Sequence, residues 1–274
     1  MQIGQAGSRG SALSILRNDA MIANDAKTTE LERVLVDLRS VAIAVSGGVD
    51  SLTLAAIAYE SLGVEAHLYH AVSPAVPTEA TERTRALSAE RDWDLRIINA
   101  GEFGDDRYIA NPSNRCFFCK SNLYASIAAA TDRPIVSGAN ADDLHDYRPG
   151  LESAKNQGVR HPFVEAGLGK EDIRSLARAL GLGDIAELPA SPCLSSRIET
   201  GIAIDPAVLR LVHEAEQHLT ATVRARHIRC RVRNAGIVVE VDGESLSRLN
   251  DRERTSALGT VADIFQKGSH ARPV

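Results

Sequence analysis

Residues 41–54 read VAIAVSGGVDSLTL, and the fold turns on the six residues in the middle. Residues 41–45 form a continuous apolar run, as expected of a parallel strand buried on both faces. From Leu52, LTLAAIAYESLG reads as a helix that Gly63 ends. Between them lie Ser46, Gly47, Gly48, Val49, Asp50 and Ser51. Two glycines let the backbone turn tightly and bring amide N–H groups close to a ligand, at the positive end of the helix that follows. The serines offer hydroxyls, and Asp50 repels phosphate unless a cation lies between them. That set suits magnesium pyrophosphate. It also suits a plain glycine turn in which Asp50 and Ser51 cap the helix.

Working outward, the pattern alternates. TTELERVLVDLRS from Thr28 has helical spacing, VEAHLYHAV reads as a strand, PTEATERTRALSAERD as a helix and DLRIINA as a strand. KSNLYASIAAATD is a further helix and RPIVSGAN a strand that ends in a polar loop. Alternation of this kind predicts an α/β protein with a doubly wound parallel sheet. After Arg197 it loosens into a helix (DPAVLRLVHEAEQHLTA), two strands (RHIRCRVR and GIVVEVD) and a helical stretch (GESLSRLNDRERTSALGTVADIF). The expected division is an N-terminal arm over 1–27, a nucleotide domain over 28–200 and a smaller C-terminal α+β domain over 201–274.

With 274 residues, 44% of them hydrophobic, the chain can bury one large core and a second small one. A net charge of −5 and a pI of 5.9 argue against a general nucleic-acid surface. No apolar run approaches the roughly 20 residues of a membrane span, and MQIGQAGSRGSALSILRND lacks the pattern of a secretory leader. The expectation is a cytoplasmic protein with no membrane partner. Four cysteines, Cys116, Cys119, Cys193 and Cys230, are too few for a disulfide framework and point instead to metal binding or nucleophilic chemistry.

SGGVDS resembles the PP-loop, SGGxDS, of the ATP pyrophosphatases, which split ATP between its α and β phosphates. The GK[ST] ending of the Walker loop is absent. Three further stretches, in order, sharpen the resemblance: NPSNRCFFCKSNLY with its CxxC, the acidic loop SGANADDLHDYRPGL, and ELPASPCLSSRIETG with Cys193. Together they are similar to the LarE family, the sulfur-inserting enzymes of nickel-pincer nucleotide cofactor synthesis.

The resemblance implies an ATP-dependent sulfurtransferase using ATP and Mg²⁺. A carboxylate of pyridinium-3,5-biscarboxylic acid mononucleotide is adenylylated, and sulfur then displaces AMP to leave a thiocarboxylic acid. Ser46, Gly47, Gly48, Val49, Asp50 and Ser51 would bind the ATP phosphates, with Asp50 catalytic. Cys193 would handle sulfur, its thiolate favoured by Arg197. Cys116 and Cys119 with Cys193 would hold a [4Fe–4S] cluster whose open iron carries an extra sulfide. A family variant instead sacrifices the sulfur of a lone cysteine.

Asp143, in a loop that also holds Asp142 and Asp146, would bind Mg²⁺ together with Asp50. Glu240 resembles a further acidic metal site. Arg231 and Arg233, in RCRVR, would grip the substrate phosphate. The expected partners are the small nucleotide substrate, a sulfur donor and further copies of the chain in a homo-oligomer.

Other readings stay open on the residues. The CxxC also suits structural zinc or redox work, the acidic loop suits solvated capping charge, and alternating arginines suit a solvated strand. Cys230 and Trp93 read as packing. A tRNA thiolase, an ammonia-dependent amidotransferase or ligase, and a nucleotide-binding module or cluster carrier without catalysis are the competing functions. The chain departs from the family in two places: a short NAGIVVEV where the family has a histidine-bearing loop, and SRIETG where Pro and Tyr commonly precede the Gly.

Overall fold

The computed structural model describes residues 25–145, 148–225 and 227–268. Most of the expected arm, and Asp146 of the acidic loop, lie outside the described residues.

Four parallel strands, β1 (Val41–Ala44), β2 (Ala66–Ala71), β3 (Leu95–Ile98) and β4 (Ile135–Ser137), form a sheet in the order β3-β2-β1-β4. The strands alternate the faces they serve. Val41, Ile43, Val45, Leu68 and Val136 share one hydrophobic cluster with residues of α1 (Asp25–Leu38), α2 (Val49–Leu62), α8 (Lys170–Ala179) and α9 (Gly183–Ala186). Ala42, Ala44, Tyr69 and Ile135 join a separate cluster with Tyr124 and Ile127 of α5 (Arg115–Ala130) and Ala154 of α6 (Pro149–Asn156). Helices thus cover both faces, which explains why the central strand β1 reads as an unbroken apolar run.

The chain runs from β1 through α2 to β2, then through α3 (Thr78–Glu90) to β3, and crosses back by way of α4 (Asp106–Ile109) and α5 to place β4 on the other flank of β1. β1 and β4 therefore flank the switch point, the crevice where α/β sheets bind ligands at their carboxyl ends. Both the SGGVDS turn and the GAN loop after β4 open there.

Four short helices that the alternation does not anticipate fill 149–186: α6, α7 (Pro162–Glu165), α8 and α9. The CxxC also differs from expectation. Cys116 and Cys119 lie inside α5, in its first turn, rather than ahead of it, because the Pro112–Asn114 turn already starts the helix, with Phe117 N–H donating to Asn114 O at 2.8 Å.

A second hydrophobic core gathers α10 (Pro206–Val223), the antiparallel pair β5 (Ile228–Arg233) and β6 (Gly236–Val241), and α12 (Asp251–Lys267). Register sends Cys230, Val232 and Ile237 inward, while Arg229, Arg231, Arg233 and Glu240 share the outer face. Ala75, Tyr108, Leu194 and Ile198, all from before residue 200, pack into the same core. The expected single C-terminal helical stretch is broken at Leu249–Asn250, where Asn250 caps α12 and Glu253 caps back. The shorter piece before it is α11 (Gly243–Arg248).

Candidate functional site

The turn after β1 is held by its own serines. Ser46 N–H donates to Ser51 Oγ at 3.1 Å, the two hydroxyls lie 3.1 Å apart, and Ser51 Oγ–H donates to Gly48 O at 3.1 Å. Gly47 has φ +80°, and a Cβ there would stand 2.5 Å from Ala80 O. Arg83 of α3 donates to Gly47 O at 2.6 Å. Behind the turn, His70 lies 2.9 Å from both Val45 O and Thr81 Oγ1. A carbonyl only accepts, so Nδ1 carries the proton, and burial lowers the ring's pKa.

The loop after β4 closes on this turn. A Cβ on Gly138 would stand 2.9 Å from Asp50 C and from Ser51 N, so only glycine lets the two loops touch. Asn140 donates from Nδ2 to Asp50 Oδ2 at 3.3 Å, and its backbone N–H donates to Asp143 Oδ2 at 3.2 Å. Burial, then the Asp143 charge, raises the Asp50 carboxyl above its ordinary range, while Lys170 and Arg174 of α8 pull the other way. Asp143 is buried and pairs with Arg148 at 2.9 Å. Asp142 accepts from Lys170 N–H at 2.7 Å and so fixes α8 beside the crevice. The structure thus brings Ser46, Gly47, Gly48, Val49, Asp50, Ser51 and Asp143 to one crevice. Two carboxyl groups, linked through Asn140, lie there beside the exposed Ser46 hydroxyl. Gly138, Asn140, Arg83 and Lys170 belong to this crevice and escape the sequence reading. A strand ending in GAN was the available signal for the first two.

A second group gathers the thiols. Cys116 is exposed, Cys119 and Cys193 are partly buried, and Cys230 is fully buried in the second core. Burial pushes the Cys119 thiol up to about 12, against Lys120 and with smaller contributions from Cys193, Glu102 and Cys116. The Lys120 ammonium lies 5.7 Å from the Tyr124 ring centroid and is felt by all three thiols. Glu102 is 4% exposed, and its Oε2 has no hydrogen-bond partner. Among the described residues, no three His, Cys, Asp or Glu side chains are arranged as a metal-holding group. The three thiols suit a cluster by donor chemistry, whereas their placement does not form one.

Other expectations are corrected. Arg197 does not stand free beside the Cys193 sulfur. Its buried guanidinium pairs with Glu216 (2.9 and 3.0 Å) and donates to Pro192 O at 2.7 Å and Ser196 Oγ at 3.1 Å. Glu240 is committed as well, pairing with Arg231 at 2.6 Å and Arg233 at 3.0 Å. Burial works against its charge, but the two guanidiniums prevail and hold its carboxyl below the usual range. Glu240 is thus engaged by two arginines, and Arg231 and Arg233 already hold one anion.

No protein-family model matches the chain. It is 37% identical over 199 residues to an uncharacterised protein of Synechocystis sp., covering 71% of this chain and 74% of the relative. It is 30% identical over 209 residues to the pyridinium-3,5-bisthiocarboxylic acid mononucleotide synthase of Lactiplantibacillus plantarum, covering 73% and 75% of the two chains. One of the component chains of a glutamine-hydrolysing GMP synthase from Methanopyrus kandleri is 27% identical over 203 residues, covering 68% of this chain and 64% of that relative.

Proposed function

Because the chain belongs to the family of the pyridinium-3,5-bisthiocarboxylic acid mononucleotide synthase, among enzymes of the PP-loop class, we propose that it is an ATP-dependent sulfurtransferase acting on a small carboxylated nucleotide, pyridinium-3,5-biscarboxylic acid mononucleotide. The observation that carries this reading is the crevice between β1 and β4. There the glycine turn, its two serines and the Asp50–Asn140–Asp143 group converge at the sheet's switch point.

A carboxylate becomes electrophilic only once it has a good leaving group. Its oxygen attacks the α-phosphorus of ATP, the bond to the β-phosphate oxygen breaks, and pyrophosphate leaves. The amides of Gly47 and Gly48 and the hydroxyls of Ser46 and Ser51 orient the phosphates. Asp50 and Asp143 would hold Mg²⁺, which neutralises the charge developing on pyrophosphate. A sulfur nucleophile then attacks the acyl carbon, AMP departs with the electron pair, and a thiocarboxylate remains. Cys193 is the sulfur-handling residue in this proposal, and Arg197 shapes its loop through Pro192 and Ser196.

The ligand set proposed for a [4Fe–4S] cluster is Cys116, Cys119 and Cys193. Held by three thiolates, such a cluster would supply an iron for a labile sulfide. What supports it is the donor chemistry of the three thiols. A sulfur donor, a homo-oligomeric assembly and a cytoplasmic location complete the proposal. No helix among the described residues is long and apolar enough to cross a membrane.

The test is incubation of anaerobically prepared protein with ATP, Mg²⁺ and the biscarboxylate nucleotide, following AMP, pyrophosphate and substrate mass alongside iron and sulfide content. AMP formed with a sulfur-for-oxygen exchange in the substrate supports the reading. ATP bound without AMP formation overturns it in favour of a binding module. Iron-free but active protein removes the cluster and points to sacrifice of the Cys193 sulfur, visible as loss of H₂S from the protein mass.

A further inference from the structure

We propose that Tyr108, Asn111 and Arg115 are positioning residues that lock the loop carrying Cys193 against the helix carrying Cys116 and Cys119. They thereby set the spacing of the three thiols. The proposal takes its purpose from the sulfur-transfer reading above, but its geometry stands independently.

The thiols come from two segments far apart in sequence, which share the second apolar core and are tied across it by buried polar groups. The Tyr108 hydroxyl, on a side chain 1% exposed, lies 2.6 Å from Ser195 Oγ, which is also buried. Asn111 is fully buried in the left-handed region, at φ 52°. Its amide donates to Glu199 O and Ile202 O, both at 2.9 Å, and its own carbonyl accepts from Gly201 N–H at 2.9 Å. Arg115 donates to Asn111 Oδ1 and to Ser195 O, the latter at 3.0 Å. The clamping side chains all lie in the short stretch just before Cys116, and the groups they hold across the fold lie in the short stretch just after Cys193.

Apolar contacts allow sliding, whereas satisfied hydrogen bonds in a low-dielectric interior specify one arrangement. The residue types fit that role. A left-handed position favours Gly, Asn or Asp, but glycine has no side-chain amide and aspartate no donors for the facing carbonyls. Of the three, asparagine alone makes both the turn and the clamp. Cys119 packs against the cluster that holds Tyr108 and Leu194, the residue after Cys193, so the clamp lies where the two thiol-bearing segments meet.

The experiment uses the full-length chain, reduced and metal-free, with Cys116→Ser so that Cys119 faces Cys193 alone. Diamide, a two-electron thiol oxidant, is added, and the Cys119–Cys193 disulfide is followed by peptide mass spectrometry. Tyr108→Phe and Asn111→Gly should each slow bridging by about tenfold or more, the scale expected of small misplacements. Magnesium–ATP binding should not change.

Tyr108→Phe combined with Ser195→Ala leaves no orphaned hydroxyl, so a merely structural role predicts recovery of both melting temperature and bridging. The positioning role predicts that bridging stays slow. Bridging at the parental rate in folded variants, or no Cys119–Cys193 bridging in the parent, overturns the proposal. Should Asn111→Gly fail to fold, the tyrosine variants carry the same comparison. Absent AMP formation with normal bridging overturns the functional reading and leaves the clamp standing.

Discussion

The turn at 46–51 and the thiol surface built from 108–119 and 193–202 both fix reactive groups in space, but with different materials. The first is built on consecutive residues of one strand–helix junction tied by short-range serine bonds, and what it adds is steric: Gly47 lies under Ala80 and Gly138 lies against Asp50 and Ser51. The second uses side chains reaching across the fold, and its precision comes from buried hydrogen bonds and one ion pair. A sterically defined site breaks by collision. A site defined by polar bonds breaks by losing partners, and the damage depends on which buried charge or dipole is left alone.

The largest effect that difference predicts is at Arg197. Its pairing with Glu216 is almost fully buried, with side chains 6% and 12% exposed. Arg197→Ala should cost about 3–5 kcal/mol in denaturant unfolding, because the Glu216 charge stays behind uncompensated. A loss under about 1 kcal/mol, as for an exposed pair, would mean that the polar scaffold of the thiol end is dispensable.

Next comes Asp50→Asn, which should reduce ATP-dependent AMP formation by about a hundredfold or more. The free protein should melt no lower, since burial and Asp143 already favour the uncharged form of Asp50. The sign follows from linkage: a carboxyl raised in the folded state stabilises the fold while protonated and loses that contribution as pH rises through its raised value. Mg²⁺ needs the ionised form, so its affinity for the free protein should rise over the same pH range, above the ordinary carboxylate range, and the Asn variant should lack that rise. A pH-independent Mg²⁺ affinity would remove Asp50 from the metal site.

Gly138→Ala is the steric counterpart. It should cost about 1–3 kcal/mol and weaken magnesium–ATP binding, while leaving Cys119–Cys193 bridging as it was. Parallel damage at both ends would dissolve the distinction between them. The smallest effect belongs to Glu240→Gln on the open face of the hairpin, within about 0.5 kcal/mol in stability. If Arg231 and Arg233 are the phosphate grip, freeing them from Glu240 should tighten binding of inorganic phosphate, measured by calorimetry. Unchanged affinity would retire them from that role.

How much of this could be read in advance follows the same division. The strand at 41–45, its helix and the glycine turn are contiguous, so apolar run, turn chemistry and helix signals fall in one window of sequence. Gly138 and Asn140 were half legible: the polar loop after a strand was visible, but not that one glycine touches Asp50. Arg197 and Glu240 show where spacing misleads. Arg197 is four residues from Cys193 in sequence, yet a glutamate on α10 takes its charge. Glu240 faces its arginines only because the hairpin register puts it on their side. Asn111 carries no local signal of its role, since the carbonyls its amide clamps belong to Glu199 and Ile202, far along the chain. The helices at 149–186 are short and separated by glycines, so none repeats its apolar spacing often enough to stand out.

The shared second core also governs how such chains can be recombined. Ala75 and Tyr108 pack with Leu209, Val232 and Phe265 in one cluster, and Glu199 N–H bonds Val232 O at 2.9 Å across the point where a splice would fall. A chimera that takes everything after residue 200 from a relative would join a foreign wall to a native one. It should stay cohesive only when the donor also supplies side chains matched to positions 75, 108, 194 and 198. The segment after residue 200 therefore depends on those four positions and should not behave as an interchangeable cassette.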